Sequence, residues 1–249
     1  MSRGLGDVYK RQVLVSLLSP KRFLNLIRHY ILYDGGIKKV ARYQQFFGVE
    51  NAMKRILGED GCSSRGGVIW HTQGSGKSLT MVMLVKRILA EKRIHSPRFV
   101  LVCDRINLIK QLRDNFVHTG MNPTEATTGK GLIALLKDEG NIIIATTINK
   151  FETAAKSKTK IADENIFLLV DESQDTKKEL INALFMVQEK NKNFSLGLFG
   201  DTMQRIYTDG KENLGTNLPN DWYKPEKKLN HRCPKRVVTL INKIRSDAD

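Results

Sequence analysis

The sequence predicts an α/β domain, a mainly parallel sheet with helices on both faces, and three observations carry the prediction. From Gly67 onward short apolar runs alternate with helical segments. The runs are continuously apolar, as suits strands buried on both faces, and the alternation itself argues for a parallel sheet. Two of the runs end in Gly-rich or acidic turns of the kind that α/β sheets place at their carboxyl edge.

The elements follow in order. SPKRFLNLIRHYILYD (19–34) opens with a Ser-Pro helix start and sets Phe23, Leu26, Ile27, Tyr30 and Ile31 at helical spacing. A helix is therefore predicted over 19–34, broken by Gly35-Gly36. A second helix is predicted over 39–57, and EDGCSSRGG (59–67) reads as a connector. Strands are predicted at 68–70, 98–103, 141–146, 166–170 and 195–200. Helices are predicted at 77–92, 105–117, 129–139, 176–190 and 235–245, with a polar loop over 207–227. There is no internal repeat.

The chain of 249 residues carries 41 Lys and Arg against 26 Asp and Glu, a net charge of +15. Such an excess suits a polyanionic partner, above all nucleic acid. Residues 1–12 are read apart, because DVYKRQ (7–12) resembles the translation of a transposon-derived library adapter. Without that leader, whose net charge is +2, the remainder still holds +13. Both ends of the chain are expected to be truncated. Cys62, Cys103 and Cys233 are far apart and form no C-x-x-C, which argues against a disulfide framework or a thiolate zinc site. The five histidines lack metal spacing. With no apolar run of membrane-spanning length, a reducing, cytoplasmic setting and no membrane partner are expected.

The chemistry sits in four stretches. IWHTQGSGKSLTM (69–81) follows the first apolar run and opens a helix. The backbone from Gly74 through Ser75, Gly76, Lys77 and Ser78 to Leu79 can close around phosphate oxygens at a helix N-terminus. Lys77 then reaches the β- and γ-phosphates and Ser78 ligates Mg²⁺. Position 71, glycine in the usual phosphate loop, is His71 here. That is a weak objection, since the phosphate-facing amides begin at Gly74. FLLVDESQD (167–175) puts Asp171 at a strand end for the Mg²⁺ shell and Glu172 beside it as the base for an attacking water. Alone, DESQD would equally suit an acidic helix start; GSGKS, with Lys77 94 residues before Asp171, decides for the site. LFGDTMQRIY (198–207) offers Gln204 as a γ-phosphate sensor. LNHRCPKRVVTLINKI (229–244) offers Arg232 for transition-state charge.

These stretches carry a resemblance. DESQD, GDTMQRIY and LNHRCPKRVV resemble motifs II, III and IV of the UvrD/Rep group of superfamily 1 helicases. RYQQFFGVENAMKRI (42–56), GGVIWHTQGSGKSLTM (66–81), VLVCDRINLIKQL (100–112) and ATTINKF (145–151) resemble the motor of type I restriction enzyme R subunits. The resemblance implies a RecA-like P-loop NTPase domain using ATP and Mg²⁺, with Gln45 reading the adenine edge. It implies that Asp104-Arg105 and Thr146-Thr147 face a nucleic-acid strand, DNA in preference to RNA. The expected organisation is a leader (1–12), an N-terminal helical segment with the Gln45 motif (13–62) and a RecA-like domain (63–228). Residues 229–249 would begin the connection to a second RecA-like domain, without which ATP turnover is expected to be poor. The expected function is the ATP-binding motor of a DNA helicase or translocase. The alternatives are the motor of a type I restriction R subunit and a nucleotide-dependent switch.

Overall fold

The computed structural model describes residues 18–61, 65–70, 76–138, 140, 142–155, 165–190 and 194–200, together with Pro219 and Trp222. Six strands form one sheet: β3 (Gly66–Trp70), β4 (Pro97–Cys103), β5 (Thr124–Glu125), β6 (Ile143–Thr147), β7 (Asn165–Val170) and β8 (Phe194–Gly200). Their order is β3-β8-β7-β4-β6-β5 and every pairing is parallel. The predicted strands thus stand within one or two residues of where the apolar runs place them.

Alternate residues of the central strands enter two cores, as the two-residue period of a strand requires. Phe99, Leu101, Ala145, Phe167, Leu169 and Phe199 face one core; Val100, Val102, Ile144, Leu168, Val170 and Leu198 face the other. The first core is closed by α1 (Pro20–His29), α2 (Tyr43–Ile56), α3 (Lys77–Leu89) and α4 (Ile106–His118). The second is closed by α5 (Gly129–Lys137), α6 (Ile148–Ala155), α7 (Lys178–Lys190) and the buried Trp222, whose ring meets Phe185 edge-on at 5.2 Å. Helices cover both faces, as expected for a RecA-like domain.

The first predicted helix is corrected. It ends at His29, and Ile31–Asp34 instead forms β1, paired antiparallel with β2 (Ile37–Val40). Gly35 and Gly36, at φ +56° and +85°, make the two-residue turn that right-twisted hairpin strands require. The pairing buries Leu32 in the first core and shortens the second predicted helix to Tyr43–Ile56. Helix α3 stops at Leu89 rather than 92, and a short 3₁₀ turn, Ser173–Asp175, precedes α7. The two-residue β5 has no apolar run to announce it. The predicted helix at 235–245 lies outside the described residues.

The N-terminal elements are tied to the main core by specific groups. Tyr30 is fully buried, its ring 4.7 Å from Phe46 and its hydroxyl donating to Glu50. Glu50 in turn pairs with Arg87 of α3 at 3.5 Å. Burial pushes the Tyr30 phenol above its ordinary range, and Glu50 adds to the effect.

Phe99 and Phe167 stack at 5.3 Å across neighbouring strands, both essentially without exposure. Phe99→Ala should therefore cost about 3–5 kcal/mol of stability, measured by urea unfolding.

Candidate functional site

The site is assembled at the carboxyl edge of the sheet, where β3 and β7 end on either side of β8. Residues 71–75, and with them Gly74 and Ser75, lie outside the described residues, as do Gln204 and Arg232. The rest of the predicted set is in view.

Gly76 caps α3 with φ 86° and ψ 39°, a left-handed backbone that glycine adopts without steric cost. Its carbonyl accepts from Thr80 N at 3.0 Å, from Thr80 Oγ1 at 3.0 Å and from Gln45 Nε2 at 3.1 Å. A methyl group at position 76 would lie 2.6 Å from that same Gln45 nitrogen. Lys77, Ser78 and Leu79 then form the first turn of α3, where backbone amides have no carbonyl of a preceding turn behind them. Such a turn is suited to an anion.

Gln45 is buried at 4% exposure, and both ends of its amide are engaged. Its Oε1 accepts from Arg42 N at 2.9 Å, closing the start of α2, while Nε2 holds Gly76. The side chain expected to read adenine thus also fastens α2 to the end of the phosphate loop.

Asp171 follows β7, its amide donating to Val102 O at 2.8 Å. It is 6% exposed. Burial pushes its carboxyl above the usual range, while the Lys77 ammonium pulls the other way. Glu172 stands at φ 51°, ψ 43°, one of two described non-glycine residues with positive φ. Lys77 Nζ lies 2.6 Å from Glu172 Oε1 and 3.6 Å from Asp171 Oδ1. Glu172's other oxygen accepts from Gln174 Nε2 at 2.7 Å. Two carboxylates and one ammonium therefore share a largely buried pocket facing the helix start.

This arrangement fits ATP with Mg²⁺. A buried carboxylate whose charge is already opposed by burial is matched to a divalent cation, and Ser78 with Asp171 supplies oxygen donors of the kind Mg²⁺ takes. Phosphate oxygens at the start of α3 would offer Lys77 a partner in place of Glu172.

Four further residues lie near this pocket with no site role assigned from the sequence: Cys103, Gln174, Trp70 and Gly200. Cys103, fully buried at the end of β4, has its thiol pushed up by burial and then by Asp171 and Glu172, so it stays protonated and inert. Gln174 is legible as the fourth letter of DESQD and Gly200 as the first of GDTMQRIY, whereas Trp70 stands only as the end of an apolar run. Of the residues expected to face nucleic acid, Arg105 is half-exposed and Asp104 partly so, at the end of β4. Thr146 and Thr147 are buried at the end of β6, and the Thr146 hydroxyl is enclosed.

The comparisons with known proteins agree with this geometry. The SWI2/SNF2 ATPase family matches residues 44–217. The chain is similar to a putative type I restriction enzyme MjaIXP endonuclease subunit of Methanocaldococcus jannaschii, 28% identical over 230 residues, covering 83% of this chain and 22% of that one. The HindI type I restriction endonuclease subunit of Haemophilus influenzae is 33% identical over 179 residues, 66% of this chain and 17% of that one. The chain thus spans about a fifth of the length of these relatives. The UvsW helicase of bacteriophage T4 shares the fold, with a TM-score of 0.52 at 15% identity, covering 75% of this chain and 62% of that one. With its matched region running from the Gln45 helix past the acidic motif, the chain belongs to the SWI2/SNF2 ATPase family.

Proposed function

We propose that this chain is the ATP-binding motor domain of a DNA helicase or translocase, converting ATP hydrolysis into movement along the duplex or strand. The observation that carries it is the Lys77 ammonium held between Glu172 and Asp171 beside the left-handed Gly76. The basic excess of the chain supports a nucleic-acid partner. Among the described residues no helix is long and apolar enough to cross a membrane.

In this reading Gly76, Lys77, Ser78 and Leu79 bind the phosphates through backbone amides, continuing from Gly74 and Ser75. Lys77 moves from Glu172 to the β- and γ-phosphate oxygens. Its departure frees a Glu172 oxygen to orient the attacking water and take its proton. Ser78 and Asp171 would hold Mg²⁺, which would supply positive charge to the phosphates. Gln45 contacts the adenine edge, Gln204 senses the γ-phosphate and Arg232 adds positive charge to the transition state.

The proposed organisation keeps residues 1–12 as a leader, 13–62 as the segment bearing Gln45, 63–228 as the RecA-like domain and 229–249 as the passage to a second one. The likeness of DESQD, GDTMQRIY and LNHRCPKRVV to UvrD/Rep helicases belongs to this proposal, supported by Gln174 at the fourth position of the acidic motif. A second reading, the motor of a type I restriction endonuclease subunit, is favoured by the two restriction-subunit relatives. Nuclease activity on DNA in the complete protein would select it; ATP turnover and movement without cleavage would select the first.

Two outcomes test the shared core. In the complete protein, Lys77→Ala and Glu172→Gln should each lower DNA-stimulated ATP turnover by about 10²–10⁴-fold, with Glu172→Gln still binding ATP. Turnover at the parent rate in both would overturn the site. Gly76→Ala, which puts a methyl group on Gln45 and strains a left-handed backbone, should weaken binding of a fluorescent ATP analogue at least about tenfold.

A further inference from the structure

Gly200 is the last residue of β8, and β8 lies between the strand that leads into the phosphate loop and the strand that carries the carboxylates. Its backbone is not left-handed, so the reason for a glycine there is space. A first side-chain carbon at position 200 would lie 2.8 Å from Trp70 Cζ3 and 3.0 Å from Ser173 Oγ, and would overlap Gln174 Oε1. Gln174 is 2% exposed, and the opposite end of its amide donates to Glu172 Oε2 at 2.7 Å. Ser173 beside it is fully buried, and its hydroxyl has no hydrogen-bond partner among the described residues.

We propose that Gln174 is the positioning residue for Glu172, and that Gly200 gives it the room to act. The Gln174 amide is wedged between the bare backbone at the end of β8 and the Glu172 carboxylate, so a shift of that strand end moves the carboxylate through one rigid group. Gly200 is also the first residue of GDTMQRIY, so the last described residue of that stretch packs on the amide that holds Glu172. With Lys77 on one Glu172 oxygen and Gln174 on the other, the departure of Lys77 leaves Gln174 as the group that holds the carboxylate's direction. The inference rests on the proposed role of Glu172.

The test is a double-mutant cycle in the complete protein, reading kcat and KM for ATP, binding of a fluorescent ATP analogue, and the thermal midpoint. Gln174→Ala and Gly200→Ala should each lower kcat about tenfold with KM for ATP within about twofold, the loss expected for a buried bond to a charged group. The double variant should be no worse than either single one, because both act through the same amide. Gln174→Met keeps the volume without the N–H donor and should behave like Gln174→Ala. Additive losses, or kcat restored by methionine, would overturn the proposal by showing independent packing effects. If Gly200→Ala does not fold, the alanine and methionine variants at 174 decide alone. Parent-like turnover in Glu172→Gln would instead remove the reading of Glu172 itself. Loss of turnover there with parent-like Gln174 variants would sink only the positioning role.

Discussion

The site depends on one shared cation. Lys77, from the helix that follows β3, reaches Asp171 and Glu172 at the end of β7, although β8 lies between those two strands. Without that ammonium, two adjacent carboxylates would face each other in a pocket where burial already opposes ionisation of Asp171. Removing one partner of a buried pair costs more than the pair contributes. The same arithmetic makes the pocket ready for exchange. A ligand bringing its own anionic oxygens and a cation can take Lys77 away without leaving either carboxylate uncompensated.

Around this pair the backbone is held where few residues sit. Gly76 and Glu172 both adopt left-handed conformations, one freely and one at a cost of order 1–3 kcal/mol. The Gly76 carbonyl is fixed by Thr80 and Gln45, and Gln45 in turn by Arg42 N. Behind them, Tyr30, Phe46, Glu50 and Arg87 lock α1, α2 and α3 into one unit. The strained position carries the proposed base, and the rigid packing is what sustains it.

Much of this was legible from letters. Continuous apolar runs such as RFVLVC and IFLLV became central strands because only a doubly covered sheet buries both faces of such a segment. GSGKS and DESQD named Lys77 and the acid pair because anion binding at a helix start and cation binding at a strand end need those residue types. The N-terminal hairpin is not legible locally, since Tyr30 and Ile31 fit a helical stripe and Gly35-Gly36 suits a helix break as well as a turn; only pairing with 37–40 distinguishes the two. The contact of Gln45 with Gly76 spans 31 residues, and the crowding of Gly200 by Trp70 and Gln174 is set by strand order. Such contacts belong to tertiary structure, which no local period encodes.

The most direct measurement is a structure of the complete protein with Mg²⁺ and a non-hydrolysable ATP analogue. The expected result is Lys77 Nζ on the β- and γ-phosphate oxygens, with its 2.6 Å contact to Glu172 broken and Gln174 still on the carboxylate. Nucleotide bound elsewhere, or bound here with Lys77 still on Glu172, would contradict the exchange on which the site is built.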